Sequence, residues 1–148
     1  MKGMEKCIQG AEEMARFATA FLADLMPQKD SATVIALSGE LGAGKTTFTQ
    51  ALAATLAVEE TVNSPTFVIE KVYMLSGQRW QRLVHVDAYR LHHVDEVRAI
   101  GWSEIVADPA NLVVIEWPEN MHSAIPASAH AIRIEIGEDE ARTIIYGT

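Results

Sequence analysis

"SGELGAGKTTF" (residues 38–48) is the stretch whose reading decides the fold. Gly39, four residues, then Gly44, Lys45 and Thr46 match the phosphate-binding loop, G-x-x-x-x-G-K-[ST]. Ahead of it stands Thr33-Val34-Ile35-Ala36-Leu37, an apolar, β-branched run that reads as a buried strand. Behind it, "TFTQALAATL" (residues 47–56) carries alanine and leucine at helical spacing. Strand, glycine loop and helix form the context the motif requires. Glycines let backbone N–H groups turn inward toward phosphate oxygens, and the helix directs its positive end to the same place. Lys45 supplies a compact charge for the β- and γ-phosphates, and the Thr46 hydroxyl is a ligand for Mg²⁺. The loop side chains, Lys45 included, are expected to face solvent. A glycine-rich turn that only connects strand to helix is the competing reading, and the flanking elements weigh against it.

The remaining composition bounds what can surround such a loop. A chain of 148 residues is expected to form one domain, residues 1–148, large enough for a proper core. The 49% hydrophobic and 22% charged content is that of an ordinary globular protein. Glu12, Glu13, Arg16 and Asp24 interrupt anything resembling a signal peptide or membrane span. In their place Ala11, Met14, Ala15, Ala18, Leu22 and Leu25 predict one apolar helical face, ended by Pro27. The single cysteine, Cys7, excludes an internal disulfide framework, and a bacterial-type cytoplasm is the simplest compartment. A net charge of −8 without a Lys/Arg cluster argues against stable direct binding of nucleic acid. Any role with nucleic acid is expected to be indirect.

Past the loop helix, "FVIEKVYM" (67–74) and residues 80–86 read as strands around the turn Ser76-Gly77-Gln78, an antiparallel hairpin. A short helix is predicted at residues 95–99, and Leu112-Val113-Val114-Ile115 is a buried strand. Ile132, Ile134 and Ile136 alternate with polar residues, residues 137–140 turn, and residues 143–146 return as a final hairpin. The fold class is therefore α/β, a mixed sheet with a parallel core beside antiparallel ribbons, flanked by helices.

Two strands run into acids, Leu83-Val84-His85-Val86 into Asp87 and Leu112-Val113-Val114-Ile115 into Glu116. Such acids hold Mg²⁺, directly or through water, or orient the attacking water in phosphate-loop enzymes. His85 lies two residues before Asp87, hence on the same strand face, where it either orients that acid or sits partly buried in the core. His92, His93, His122 and His130 lack metal-ligand spacing. "TVNSPTF" (61–67) joins the loop helix to the hairpin, either as a plain connection or as a segment that senses the γ-phosphate.

"SGELGAGKTTF", "SPTF" (64–67), "HVDAYRL" (85–91) and "VIEWPE" (114–119), in this order and spacing, resemble the TsaE (YjeE) family. The resemblance spans nearly the whole chain. It implies a single-domain P-loop ATPase of bacterial tRNA threonylcarbamoyladenosine synthesis, with ATP and Mg²⁺ as cofactors. The phosphates fall to Gly39, Glu40, Leu41, Gly42, Ala43, Gly44, Lys45, Thr46 and Thr47. Mg²⁺ falls to Thr46 and Glu116, with Asp87 as the other acid of the site; Ser64, Pro65 and Thr66 form the switch-like segment. Trp117 is expected near the nucleotide, and so is Arg142, the best match to a family arginine of the last hairpin that approaches the nucleotide, with Arg133 its competitor. The resemblance further implies a TsaB–TsaD pair as partner, where ATP hydrolysis allows repeated modification of adenosine 37 in tRNAs reading codons that begin with A. Two departures stand out. Gly10-Ala11 replaces a threonine near the first helix, which puts an adenine contact in doubt, and "GWSEIV" (101–106) replaces a glycine-leucine-acid pattern.

Two other functions compete with this one. A small-molecule kinase needs an arginine-bearing lid, and only Arg90 and Arg98 lie between Asp87 and Glu116. A non-catalytic assembly module would bind ATP only to dock, and Lys45, Thr46, Asp87 and Glu116 together argue for hydrolysis instead.

Overall fold

Apolar runs of five or six residues, too short for helices and rich in Val and Ile, form the centre of the structure. The computed structural model describes residues 4–40, 42–60, 62, 70–91, 94–139 and 141–147. In chain order the elements are β1 (Met4–Gln9), α1 (Gly10–Ala23), β2 (Thr33–Gly39), α2 (Lys45–Thr55), β3 (Glu70–Met74) and β4 (Arg82–Asp87). There follow α3 (Val94–Ala99), α4 (Trp102–Ala107), β5 (Asn111–Glu116), a 3-10 helix (Pro118–Ala124), β6 (His130–Ile136) and β7 (Ala141–Tyr146).

All seven strands join one sheet in the order β1-β7-β6-β2-β5-β4-β3. The central pairings β6-β2, β2-β5 and β5-β4 are parallel, and β1-β7, β7-β6 and β4-β3 are antiparallel. This is the mixed sheet expected from the sequence, a parallel core beside antiparallel ribbons.

Both faces of the sheet are covered, which explains why β2 and β5 are apolar without alternation. On one face Ile35, Leu37 and Val114 pack with Phe17 and Leu22 of α1 and Phe48 of α2. On the other, Val34, Val84 and Val113 pack with Val97 of α3, Trp102 of α4 and Met121 of the 3-10 helix. Among the described residues no helix is long and apolar enough to cross a membrane.

Several local expectations change. The buried face of α1 is Met14, Phe17, Ala18 and Leu22, whereas Ala11 and Ala15 are exposed. The larger Phe17 claims the core side and rotates the stripe away from the two alanines. The helix also stops at Ala23, ahead of Pro27. Arg79 takes up the carbonyls of Leu22, Ala23 and Leu25 at 3.1, 3.2 and 2.6 Å, meeting the need for acceptors to be filled at a helix end. Residues 67–69 of the predicted first hairpin strand lie outside the described residues. Trp80 precedes β4 and is buried, its indole N–H donating to Thr33 Oγ1 at 3.1 Å. Trp102, in the departing "GWSEIV" segment, is a packing residue whose indole N–H donates to the Ala124 carbonyl at 2.9 Å.

Candidate functional site

The site is built where β2 gives way to α2. Gly39 closes β2 opposite Ile134 of β6. A Cβ placed there would stand 2.5 Å from the Ile134 carbonyl oxygen and 3.3 Å from Ala43 Cβ, so only glycine fits. The loop turns through Gly42 at φ 81° and Gly44 at φ 111°, both left-handed, and Ala43 N–H donates to the Glu40 carbonyl at 3.1 Å. Gly44, the residue that caps α2, brings no side-chain acceptor to its first-turn N–H groups. Leu41 lies outside the described residues.

Lys45 departs from the expectation that the loop faces solvent. It is only 5% exposed. Its ammonium donates to the carbonyls of Gly39 and Glu40, the latter at 3.2 Å, and lies 4.0 Å from the centroid of the Trp117 ring. The four-carbon stem packs while the charged head finds backbone acceptors and an aromatic face. Burial pushes its pKa below the ordinary lysine value, while the charges of Glu116, Glu119 and Asp87 oppose that shift. Thr46 and Thr47 follow on the first turn of α2, half-buried.

Across the sheet, the two strand-end acids are register partners, Asp87 on β4 opposite Glu116 on β5. Adjacent strands lie about 4.8 Å apart, so both carboxylates leave the carboxyl edge on one face. Glu116 is buried and Asp87 half-buried. Asp87 Oδ1 accepts the Tyr89 backbone N–H at 2.9 Å. His85 is fully buried rather than partly so, and its Nε2 lies 2.5 Å from Glu116 Oε2. The acid it meets through that nitrogen is the one on the neighbouring strand, because β4–β5 pairing brings Glu116 diagonally across from it.

Trp117 follows Glu116 in a left-handed conformation, φ 59° and ψ 52°, which swings its ring over Lys45 and to 5.0 Å from the Tyr89 ring. Asn120, which the sequence did not single out, ties the two strand-end loops together. Its amide donates to the carbonyls of Ala88 and Tyr89 at 2.9 and 3.2 Å. Of the two hairpin arginines, one touches the loop. Arg142 donates to the carbonyls of Ala43 at 3.0 Å and Gly42 at 3.3 Å. Arg133 is exposed and pairs with Glu135 at 3.4 Å. Near the missing threonine, α1 starts at Gly10 with φ 80°, and Met14 lies within 3.4 Å of where a Gly44 Cβ would stand. Ser64, Pro65, Thr66, His92 and His93 lie outside the described residues.

The donor set suits a hard cation. Mg²⁺ takes one or two carboxylates beside substrate phosphates and water, and Thr46, Asp87 and Glu116 all offer oxygen. The charges of Glu116, Glu119 and Asp87 act together at Lys45 in the sense that favours a cation, although burial outweighs them there. Among the described residues no group of three or more His, Cys, Asp or Glu side chains converges into a cage.

Residues 8–144 match the family model described as threonylcarbamoyl adenosine biosynthesis protein TsaE. The chain is 40% identical over 116 residues to the tRNA threonylcarbamoyladenosine biosynthesis protein TsaE of Streptomyces coelicolor, covering 75% of this chain and 76% of that one. Against the protein of the same description from Treponema pallidum it is 34% identical over 140 residues, 94% of this chain and 97% of the other. In structure it is similar to crystalline Bacillus subtilis YdiB, with a TM-score of 0.73, 27% identity, and coverage of 98% of this chain and 84% of that one.

Proposed function

Since this chain belongs to the TsaE family, we propose that it acts in threonylcarbamoyl adenosine biosynthesis on tRNA as a single-domain, Mg²⁺-dependent ATPase. The observation that carries the enzymatic part is the convergence of Lys45, at the start of α2, with Asp87 and Glu116, paired at the ends of β4 and β5. The loop amides and Lys45 bind phosphate, and Thr46 and Glu116 hold Mg²⁺, whose charge neutralises phosphate oxygens. Asp87 orients the attacking water. Trp117 covers the site, Arg142 braces the loop from behind, and residues 64–66 form the segment that senses the γ-phosphate.

The acidic surface, net charge −8, suits docking onto protein partners better than onto RNA. The partner in this reading is a TsaB–TsaD pair in the cytoplasm. TsaD transfers the threonylcarbamoyl group to adenosine 37, and ATP hydrolysis by this chain resets the pair for another turnover. Such an ATPase is slow alone.

The test is steady-state ATP turnover of the full chain with and without purified TsaB–TsaD. A group supplied in trans raises rates about 10³–10⁵-fold in switch NTPases, so even partial completion of the site produces a clear stimulation. No stimulation by the pair, together with stimulation by a small nucleoside or sugar acceptor, would replace this reading with a kinase.

A further inference from the structure

We propose that His85 is a positioning residue for Glu116, donating from Nε2 to Glu116 Oε2 so that Oε1 is the oxygen presented to the metal–phosphate side. The inference rests on the assignment of Glu116 to Mg²⁺ above. Both side chains are out of water, His85 at 0% and Glu116 at 4% exposure. A carboxylate so buried is held by hydrogen bonds or it gives up its charge. At 2.5 Å the two atoms are close enough that a proton must lie between them.

The other ring nitrogen decides the tautomer. His85 Nδ1 is buried with no hydrogen-bond partner among the described residues. A proton on Nδ1 would orphan a buried N–H donor and turn the Nε2 lone pair toward the carboxylate. A proton on Nε2 makes the bond to Glu116 and leaves only an unfilled acceptor, the cheaper defect. Nε2 therefore carries a proton, and the ring works as a fixed donor.

A flexible glutamate has three side-chain torsions to settle before it can hold an ion. With Oε2 tied to a ring locked in the sheet, that search is finished before any ligand arrives. Outer partners of this kind typically govern metal affinity by about 10–100-fold.

The experiment is calorimetric titration of ATP into the full chain, in EDTA and in Mg²⁺, for wild type, His85→Leu and His85→Gln. Affinity in EDTA should agree within about twofold across all three. The gain in affinity from Mg²⁺ should fall about tenfold or more in His85→Leu and recover largely in His85→Gln, whose amide N–H can replace Nε2–H. A folded His85→Leu that keeps the full Mg²⁺ gain would overturn the proposal. Absence of any Mg²⁺ gain in wild type would instead overturn the assignment of Glu116, and this inference with it. If His85→Leu does not fold, nitrogen-15 NMR of wild type reads the ring directly. An Nε2–H tautomer whose proton resonance moves in Glu116→Gln supports the proposal; an Nδ1–H tautomer sinks it.

Discussion

The Lys45 ammonium stands 4.0 Å from the centroid of the Trp117 ring while it donates to the carbonyls of Gly39 and Glu40. A phosphate claims those same donors. Lys45→Met keeps the packed stem and removes the charge, so ATP affinity should fall about 100-fold, the equivalent of one or two charge-assisted bonds at about 1.5–3 kcal/mol each. Thermal stability should shift by only a few degrees, because relief of a buried cation offsets two unfilled carbonyls. Equal ATP affinity for variant and wild type by calorimetry would refute this.

The register pairing of Asp87 with Glu116 separates two acids that sit side by side. Glu116 is the more deeply buried and is tied to His85, whereas Asp87 is half-buried at the exit of β4. Glu116→Ala should weaken the Mg²⁺-dependent part of ATP binding by about tenfold. Asp87→Ala should leave that binding nearly intact and lower turnover by about 100-fold, as befits a group that orients water. Superimposable Mg²⁺ titrations of the two variants would show that the division of labour is wrong.

Arg142 reaches back from β7 to two loop carbonyls, and Arg133 does not. Arg142→Ala should weaken ATP binding about tenfold by freeing the loop, and Arg142→Lys should recover little, since one ammonium cannot match the fork of a guanidinium. Arg133→Ala should change affinity by less than about twofold, as exposed ion pairs contribute little. Reversal of that ranking in a binding assay would point to the other arginine.

His130, on β6 beside the Phe21 ring, has its pKa held below 6.5 by burial. The fold therefore favours the neutral ring, and the unfolded chain binds more protons in the window just below that value. Stability from this residue is complete above about pH 6.5 and is lost as pH falls toward the folded-state pKa. The drop in melting temperature between about pH 7.5 and 5.5 should be smaller in His130→Phe than in wild type. An identical drop in both would contradict the sign.

What could be read from sequence follows from where each element finds its partners. The run 33–37, the glycine spacing and the alanine-leucine helix carry their own signals, and they produce β2, the loop and α2. Strand β1 has no such signal. Only Ile8 among its six residues is buried, and its pairing lies with β7 at the far end of the chain. Helix α4 spans six residues, too few for a 3.6-residue period to show, and starts from Gly101 at φ 74°. The site shows the same division. Asp87 and Glu116 could be picked as strand-end acids, but the meeting of His85 with Glu116 depends on inter-strand register, which no local pattern encodes. The contact of Arg142 with the loop carbonyls likewise joins residues about a hundred positions apart, beyond any local pattern.

The crowding at Gly39 makes the loop part of a larger frame. Its first residue is wedged against β6 through the Ile134 carbonyl, and its far side is grasped from β7 by Arg142. The β6–β7 ribbon thus holds the phosphate loop at two points, as a bow holds its string, and β7 is itself bonded along its length to β1. The outer edge of the sheet and the loop are joined by an unbroken run of backbone and guanidinium hydrogen bonds, β1 to β7 to Arg142 to Ala43.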